Sequence, residues 1–418
     1  MTKYISVFFL IISAVVFGQQ SSSSPYSYHH LGLRKYQNTI ENKSMGELNV
    51  YADSIHLNLV NPASLSKLAL TNYTVGATQN FTTLSTNSGE GETQRTTFDY
   101  IAVGLPIAKK LGVSFGISPF TNVGYDFIQI QTLNNISVIT NNTGDGNINK
   151  VFLSTGYEVY KNLSVGLSFQ YYFGRLTHSF VKSNFTTSLD FISGANEENI
   201  ASINGINAQI GLYHFTKVNK KLTLHSSLTF SPKAELDNEF SRTISISPTQ
   251  ILTPQISQRK IDLPAMFNVG FAIGEEKKWL IGTEFTTQNA VENGNRFTNI
   301  NNSSFERANK FNVGGYFIPQ YNSFSSYWSR VTYRAGMRYE NLGLMVNDQS
   351  INDFGITFGL GIPLRRYSDA FANFSNINIG FEYGRRGTKN SNLIQEDYFN
   401  ISLSLSFNDK WFQRRKYN

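Results

Sequence analysis

The chain contains no cysteine. That absence removes a disulfide scaffold, a thiol nucleophile and a thiolate metal site at one stroke. It also removes the N-terminal cysteine on which a lipoprotein carries its anchor. Charge is sparse as well, at 16% of residues. Outside the N-terminus there is no uninterrupted apolar run of the roughly 20 residues that a membrane helix needs. The net charge is +7, but the basic residues stand singly or in pairs at turns, with no stripe along one element. Nucleic acid is therefore not an expected partner. Six histidines, His29, His30, His56, His178, His214 and His225, show no metal-ligand spacing. His29 and His30 are neighbours, and neighbours on an extended chain point apart. Neither a G-x-S-x-G elbow nor a phosphate-binding loop is present. No catalytic residue, metal ligand or cofactor is assigned, and enzyme activity is not expected.

What the sequence does have is aromatic residues, at 14%, and 32 glycines, with a mean hydropathy of −0.25. This is too aromatic for a disordered chain and too polar for a helical membrane protein. The clearest pattern lies near the C-terminus. Phe399, Ile401, Leu403, Leu405 and Phe407 take one parity, and Asn400, Ser402, Ser404 and Ser406 the other. Side chains of a strand alternate between faces, so this stretch has one apolar and one polar face. The same alternation recurs in Leu163–Tyr171, Ile356–Ile362 and Ile377–Tyr383. The chain lacks helices to cover so many two-faced strands. They suit a closed transmembrane antiparallel β-barrel, all-β, with lipid outside and a wet lumen. The aromatic-ended last strand also looks like the sorting signal of bacterial outer-membrane barrels.

Read in order, Met1–Gly18 has the form of a secretory signal peptide, with Lys3, an apolar core over Ile5–Phe17 and a cut before Gln19. An uncleaved anchor is the other reading. Residues 19–68 lack the alternation and form an N-terminal hatch or plug segment, hanging in the periplasm or folded back into the lumen. Ile55, Leu57, Leu59 and Val60 need burial there. Pro62 forbids a regular ladder and Asn61 before it favours a turn. Residues 69–407 form the barrel and 408–418 a periplasmic tail. The periodicity predicts about 14 strands, near 69–84, 94–107, 111–131, 149–160, 163–178, 203–215, 222–235, 259–273, 279–288, 308–320, 329–340, 351–363, 375–387 and 396–407. Connections alternate in length. Those at 108–110, 161–162, 216–221 and 274–278 are short, while 132–148, 179–202, 236–258 and 289–307 are long and rich in Asn, Ser, Thr and Gly. Short periplasmic turns and long outer loops are the rule for such barrels.

The short turns carry basic residues such as Lys109, Lys110, Lys161, Lys220, Lys221, Lys277 and Lys278. Attraction to anionic headgroups and plain solvation of turns explain these equally well. Tyr157, Tyr171, Tyr172, Tyr383 and Trp411 fit interfacial aromatic girdles. Arg334, Arg338 and Glu382 fall on the lumen parity, where they line a solute path, anchor the plug or form an ion-pair network.

Several segments together resemble the FadL-type outer-membrane transport barrels for fatty acids and hydrocarbons, especially the divergent members seen in Bacteroidetes. The carrying residues are Met45-Gly46, the N-P-A run Asn61-Pro62-Ala63 with Ser64-Leu65, Gly112–Tyr125, Tyr333–Pro363 and the ending Asn408–Phe412. The resemblance implies an outer-membrane location after signal-peptide cleavage and a hatch at Asn61, Pro62 and Ala63. It also implies passive uptake of hydrophobic small molecules, such as long-chain fatty acids, through a gap in the wall. Expected partners are outer-membrane lipid and an apolar ligand. The family group includes PorV-like barrels of type IX secretion, so the alternative is a non-transporting barrel that docks a partner protein at its outer loops. A sizeable apolar pocket would favour transport, and a lumen filled by the plug and by charged side chains would favour docking.

Overall fold

The computed structural model describes residues 24–133, 136–186, 191–247, 250–251, 254–291, 303–364 and 375–409. The expected signal peptide and Trp411, with the rest of the tail from 410, lie outside the described residues. Fourteen antiparallel staves close on themselves. They are β1 (Thr71–Ser85), β2 (Glu90–Ala108), β3 (Leu111–Leu133), β4 (Ile136–Tyr160), β5 (Leu163–Thr186) and β6 (Phe191–Lys217). Then come β7 (Leu222–Ser231 and Ala234–Ser247), β8 (Gln255–Leu263 and Met266–Glu275), β9 (Trp279–Gln288) and β10 (Ser303–Phe305 and Ala308–Phe317). The ring ends with β11 (Thr332–Val346), β12 (Gln349–Pro363), β13 (Asn376–Gly387) and β14 (Gln395–Asp409). Closure comes from β14 pairing with β1, from Gln395 opposite Ser85 to Asp409 opposite Thr71.

Burial is inverted relative to a soluble sandwich. In β14 the polar parity faces in, with Ser402 2% and Ser404 1% exposed, while Leu403 on the other parity is 50% exposed. Ile101, Phe115, Leu153, Phe169, Phe271, Phe311 and Phe358 likewise turn outward. This is the face assignment that the alternation predicts, and a lipid-covered outer wall is the condition that makes it stable. Tyr157, Tyr171 and Tyr383 are exposed on the outside as girdle residues would be. Tyr172 is not. It is buried, packs edge-on against Phe120 at 4.7 Å and donates its hydroxyl to Gln170 Oε1. Tyr171 and Tyr172 are adjacent, and a strand cannot turn both to one face.

The expected long loops at 132–148, 179–202 and 236–258 are largely strand instead. Leu133 pairs with Ile136, and Phe185 with Phe191, so β3 to β6 run on as tall hairpins. The 23 residues of β3 exceed by about twofold the 9–11 that cross a bilayer. Above the lipid both faces of a hairpin meet water. The apolar alternation that marks a strand disappears there, leaving an Asn/Ser/Thr composition that reads as loop. Of the fourth expected loop, 292–302 lies outside the described residues.

Two irregularities shape the wall. In β7 and β8, Pro232 and Pro264 fall in the two-residue breaks facing each other, where each removes a ladder donor. Between β2 and β3 the ladder stops at Ile101 opposite Ile117. Above that point, among the described residues, β2 and β3 no longer pair with each other, and the only staves they pair with are β1 and β4, respectively, so the wall is split. A two-residue inner strand, Leu33–Arg34, takes the vacant edge of β3 at Asn122 and Thr121.

Leu403 sits six residues from the short-turn end of β14, near the middle of the apolar band. Leu403→Arg is expected to destabilise the barrel by about 2–4 kcal/mol, with Leu403→Ala costing less. Denaturant unfolding from lipid vesicles measures both, and an Arg cost no larger than the Ala cost would mean that this face does not meet lipid.

Candidate functional site: the filled lumen

Residues 24–70 run inside the ring from the long-hairpin end to the short-turn end. At the top, Tyr26 donates its hydroxyl to Ile394 O, and Ser24 donates to the Glu396 carboxylate. At the bottom, Lys67 bonds Glu158 near the turn that Lys110 also reaches, at 3.1 Å. The segment is mostly irregular, with one short α-helix at Ile40–Lys43 and a 3₁₀ turn at Pro62–Lys67.

Asn61, Pro62 and Ala63 build that turn. The Asn61 side chain accepts from Ala63 N at 3.1 Å and donates to Leu212 O at 3.1 Å, while Pro62 occupies the first turn position, where a missing N–H costs nothing. The turn lies flat on the wall because the wall has no side chains beneath it. Gly112, Gly156, Gly166 and Gly211 are directly opposite one another across β3, β4, β5 and β6. A Cβ on any of them would come inside 3.0 Å of Leu65 O, Pro62 O, Ala63 N or Asn61 Oδ1, respectively. A second cradle serves Met45-Gly46. Gly314 faces Met45 O, its ladder neighbour Gly336 faces Gly46 N, and Gly46 N donates to Thr357 Oγ1 at 2.8 Å. Close backbone approach is what glycine permits and every other residue blocks.

The remaining contact is mostly polar. Arg338 is buried and donates to Glu382 at 3.0 and 3.1 Å and to Asp353 at 3.2 Å, with Glu47 of the inner segment at 3.4 Å. Tyr398 donates to Asp353 at 2.6 Å, and Arg386 joins Asp353 at 2.7 Å to Glu396 at 3.0 Å. Lys43 reaches Glu382 at 3.6 Å, and Lys310 bonds Glu47. The network thus runs from Ser24 through the wall to Lys43 and Glu47. Of the three lumen charges expected from parity, Arg338 and Glu382 meet directly. Arg334 stands apart and donates to Asn378 Oδ1 at 3.1 Å.

Asp353, Arg386, Glu396 and Tyr398 were not singled out by sequence, although each has inward parity and could have been found by it. Glu47 and Lys43 lie where no periodicity operates. His178 and His225 bond Tyr125 and Tyr213 through their ring nitrogens, each at 2.7 Å, and His214 faces outward. Among the described residues, no group of three or more His, Cys, Asp or Glu could hold a metal ion.

Beside the inner segment, which lines part of it, is a cavity of about 270 Å³. Its lining includes seven basic and four acidic side chains, among them Arg34, Lys35, Arg95, Lys310, Asp353 and Glu382, with few aliphatic residues. Arg95 and Thr97 on β2 and Asn122 on β3 belong to this lining, so the cavity reaches the wall split.

The closed fourteen-stave antiparallel barrel is a FadL-like fold. The chain superposes on the Pseudomonas putida toluene transporter TodX with a TM-score of 0.61 at 13% identity, covering 91% of this chain and 100% of that one. It matches a Pseudomonas aeruginosa FadL homologue with a TM-score of 0.57 at 11% identity, over 91% and 100%. The CymD monoaromatic hydrocarbon channel matches with a TM-score of 0.56 at 13% identity, over 90% and 98%. At these identities the likeness is one of fold. No curated protein matches the sequence. The family description BamG matches residues 1–418, and the chain belongs to the BamG family.

Gly166→Val drives a branched side chain against Ala63 N and is expected to cost about 1–3 kcal/mol from overpacking. It should also raise protease cleavage within residues 61–68 in the folded barrel, and unchanged cleavage would show that the turn is not seated on β5. Arg338→Met strands the carboxylates of Glu47, Asp353 and Glu382 in a buried site. It is expected to cost about 3–5 kcal/mol, read from the guanidinium midpoint, whereas a loss below 1 kcal/mol would mean that the network is solvated.

Proposed function

We propose that this chain is an outer-membrane barrel with a closed lumen, acting as an accessory that docks partner proteins. Residues 24–70 serve in this reading as a permanent plug, with Asn61, Pro62 and Ala63 as its seat and Arg338 and Glu382 as its anchor. The supporting observation is the character of the lumen. The space left around the inner segment is lined by charged and amide side chains, whereas sites for hydrophobic small molecules are predominantly apolar. Displacing the segment would break several buried ion pairs at once, each costly to leave unmatched. The tall hairpins supply a surface. Ile128 and Ile130 on β3 are 64% and 67% exposed, and Phe191 and Ile256 on the neighbouring hairpins are also open. These side chains stand too far along their strands to lie in lipid, and exposed apolar groups there suit a protein contact.

A second reading keeps passive uptake of hydrophobic small molecules such as long-chain fatty acids, and the toluene transporter and hydrocarbon channel among the fold relatives support its coarser form. Its observation is the split between β2 and β3, which offers a lateral way between cavity and membrane. Native mass spectrometry of protein gently extracted from its own membranes separates the two. A stable protein partner without small ligand is expected, and its loss in an Ile128→Asp, Ile130→Asp double variant that still folds would place the contact on β3. A fatty acid or other apolar molecule bound at unit stoichiometry, without a partner, would overturn docking in favour of transport.

A further inference from the structure

The inner strand Leu33–Arg34 brings Arg34 onto one face with Thr121 of β3, its ladder partner. Thr121 pairs with Ile148 of β4, and Ser118 pairs with Lys150, two residues along the same strand. The bulge at Phe120 keeps Ser118 and Thr121 on one face despite their odd spacing. Residues opposite one another in a ladder are about 5 Å apart, and i to i+2 about 7 Å. Ser118 and Thr121 are thus flanked by Lys150 and Arg34, whose backbones stand two strands and two residues apart, about 12 Å, a gap that only their long side chains span. Arg34 and Lys150 lie within electrostatic reach of each other.

Three features of this patch are unexplained by packing. Lys150 is only 5% exposed, and its charged end lies against the Phe152 ring, at 5.8 Å from the centroid. No carboxylate of the described residues forms an ion pair with Lys150 or Arg34. Glu340 is felt by Arg34, but its ion pairs go to Lys310 and Arg338. The hydroxyls of Ser118 and Thr121 are 2% and 3% exposed as residues, and both oxygens are buried without a hydrogen-bond partner. Arg34 itself lies over the Phe120 ring at 5.3 Å and spends one Nη1 hydrogen on Gln288 Oε1 at 2.7 Å, leaving other donors of its fork free.

We propose that Arg34, Lys150, Ser118 and Thr121 form a binding site for a small inorganic anion that fastens the inner strand to the wall. Two cations with no ion pair among the described residues, Lys150 buried and Arg34 closing the patch from its exposed side, and two buried hydroxyls without a hydrogen-bond partner have complementary needs that a single halide-sized anion meets. Hydroxyls serve equally as donors to an anion, and the guanidinium and ammonium have no acceptor function at all. The anion would link Arg34 of the inner segment to β3 and β4, beside the edge that the wall split leaves vacant.

The test is diffraction from crystals of the full mature protein grown in sodium bromide, with data at the bromine edge. An anomalous peak within hydrogen-bond reach of Lys150 Nζ and the two hydroxyls is expected. It should persist in Lys150→Arg and vanish in Lys150→Met. A water alone at the position, an adventitious ion only at surface sites, or a peak indifferent to Lys150→Met would each overturn the proposal. In solution, the wild-type barrel should melt higher in chloride or bromide than in gluconate at equal ionic strength. That difference should be absent in Lys150→Met and present in Lys150→Arg, and a wild type blind to the anion would also defeat the idea.

Discussion

In hydrocarbon every backbone N–H and C=O must find its partner within the protein, and a sheet achieves this only by closing. The fifteen residue pairs between β14 and β1 close this one. Once they form, the apolar parity is committed to lipid and the polar parity to a shared interior. Aliphatic side chains from the strands then fill only part of the lumen, on the side of β3 to β8. Serines, threonines, asparagines and glycines face in, and an additional length of chain has to occupy the space they leave.

The inner segment meets the two halves of the ring by different physics. Toward β3 to β8 it packs on an apolar cluster of Leu31, Val123, Ile148, Leu176, Leu236 and Ile261, and its N-P-A turn rests on the ladder of four glycines. Toward β11 to β14 it is held by Glu47, Lys43 and Glu41 in a lattice of buried charges and amides, where Asn378 and Ser406 each donate to Glu41 at 2.8 Å. Apolar packing is tolerant of small shifts, whereas paired buried charges lose heavily when one partner moves. The buried charges fix where the segment sits, and the two glycine cradles, on β3 to β6 and on β10 and β11, let it come close enough to do so.

The chain shares its fold with hydrocarbon and toluene channels at 13% identity. Fold does not carry function, which depends on what the site residues present. In this chain the wall is split between β2 and β3, the chamber behind the split has a mostly polar lining, and the edge of β3 there is taken by Leu33–Arg34.

Much of the barrel was legible from period-two alternation, because lipid on one side and water on the other impose opposite chemistry on neighbouring residues. Leu403 beside Ser404, and Met337 beside Arg338, show their faces in the sequence. The upper hairpins were not legible as strand, since with water on both sides residues such as Asn141 and Thr143 of β4 carry no contrast. Tyr172 was misplaced to the girdle because composition was allowed to outweigh parity. Within the site, Asn61-Pro62-Ala63 announced a turn by local chemistry, and Arg338 and Glu382 announced the lumen by parity. By itself, then, the sequence determined the closed barrel, the faces of most membrane-level residues and the irregular segment before β1. Only the tertiary structure decided that Glu47 pairs with Arg338, that Gly112, Gly156, Gly166 and Gly211 align beneath one turn, and that Lys150 has no carboxylate partner among the described residues. Those outcomes depend on register between strands far apart in the chain and on the path of a segment without periodicity, which are set by the whole ring closing and not by any local pattern.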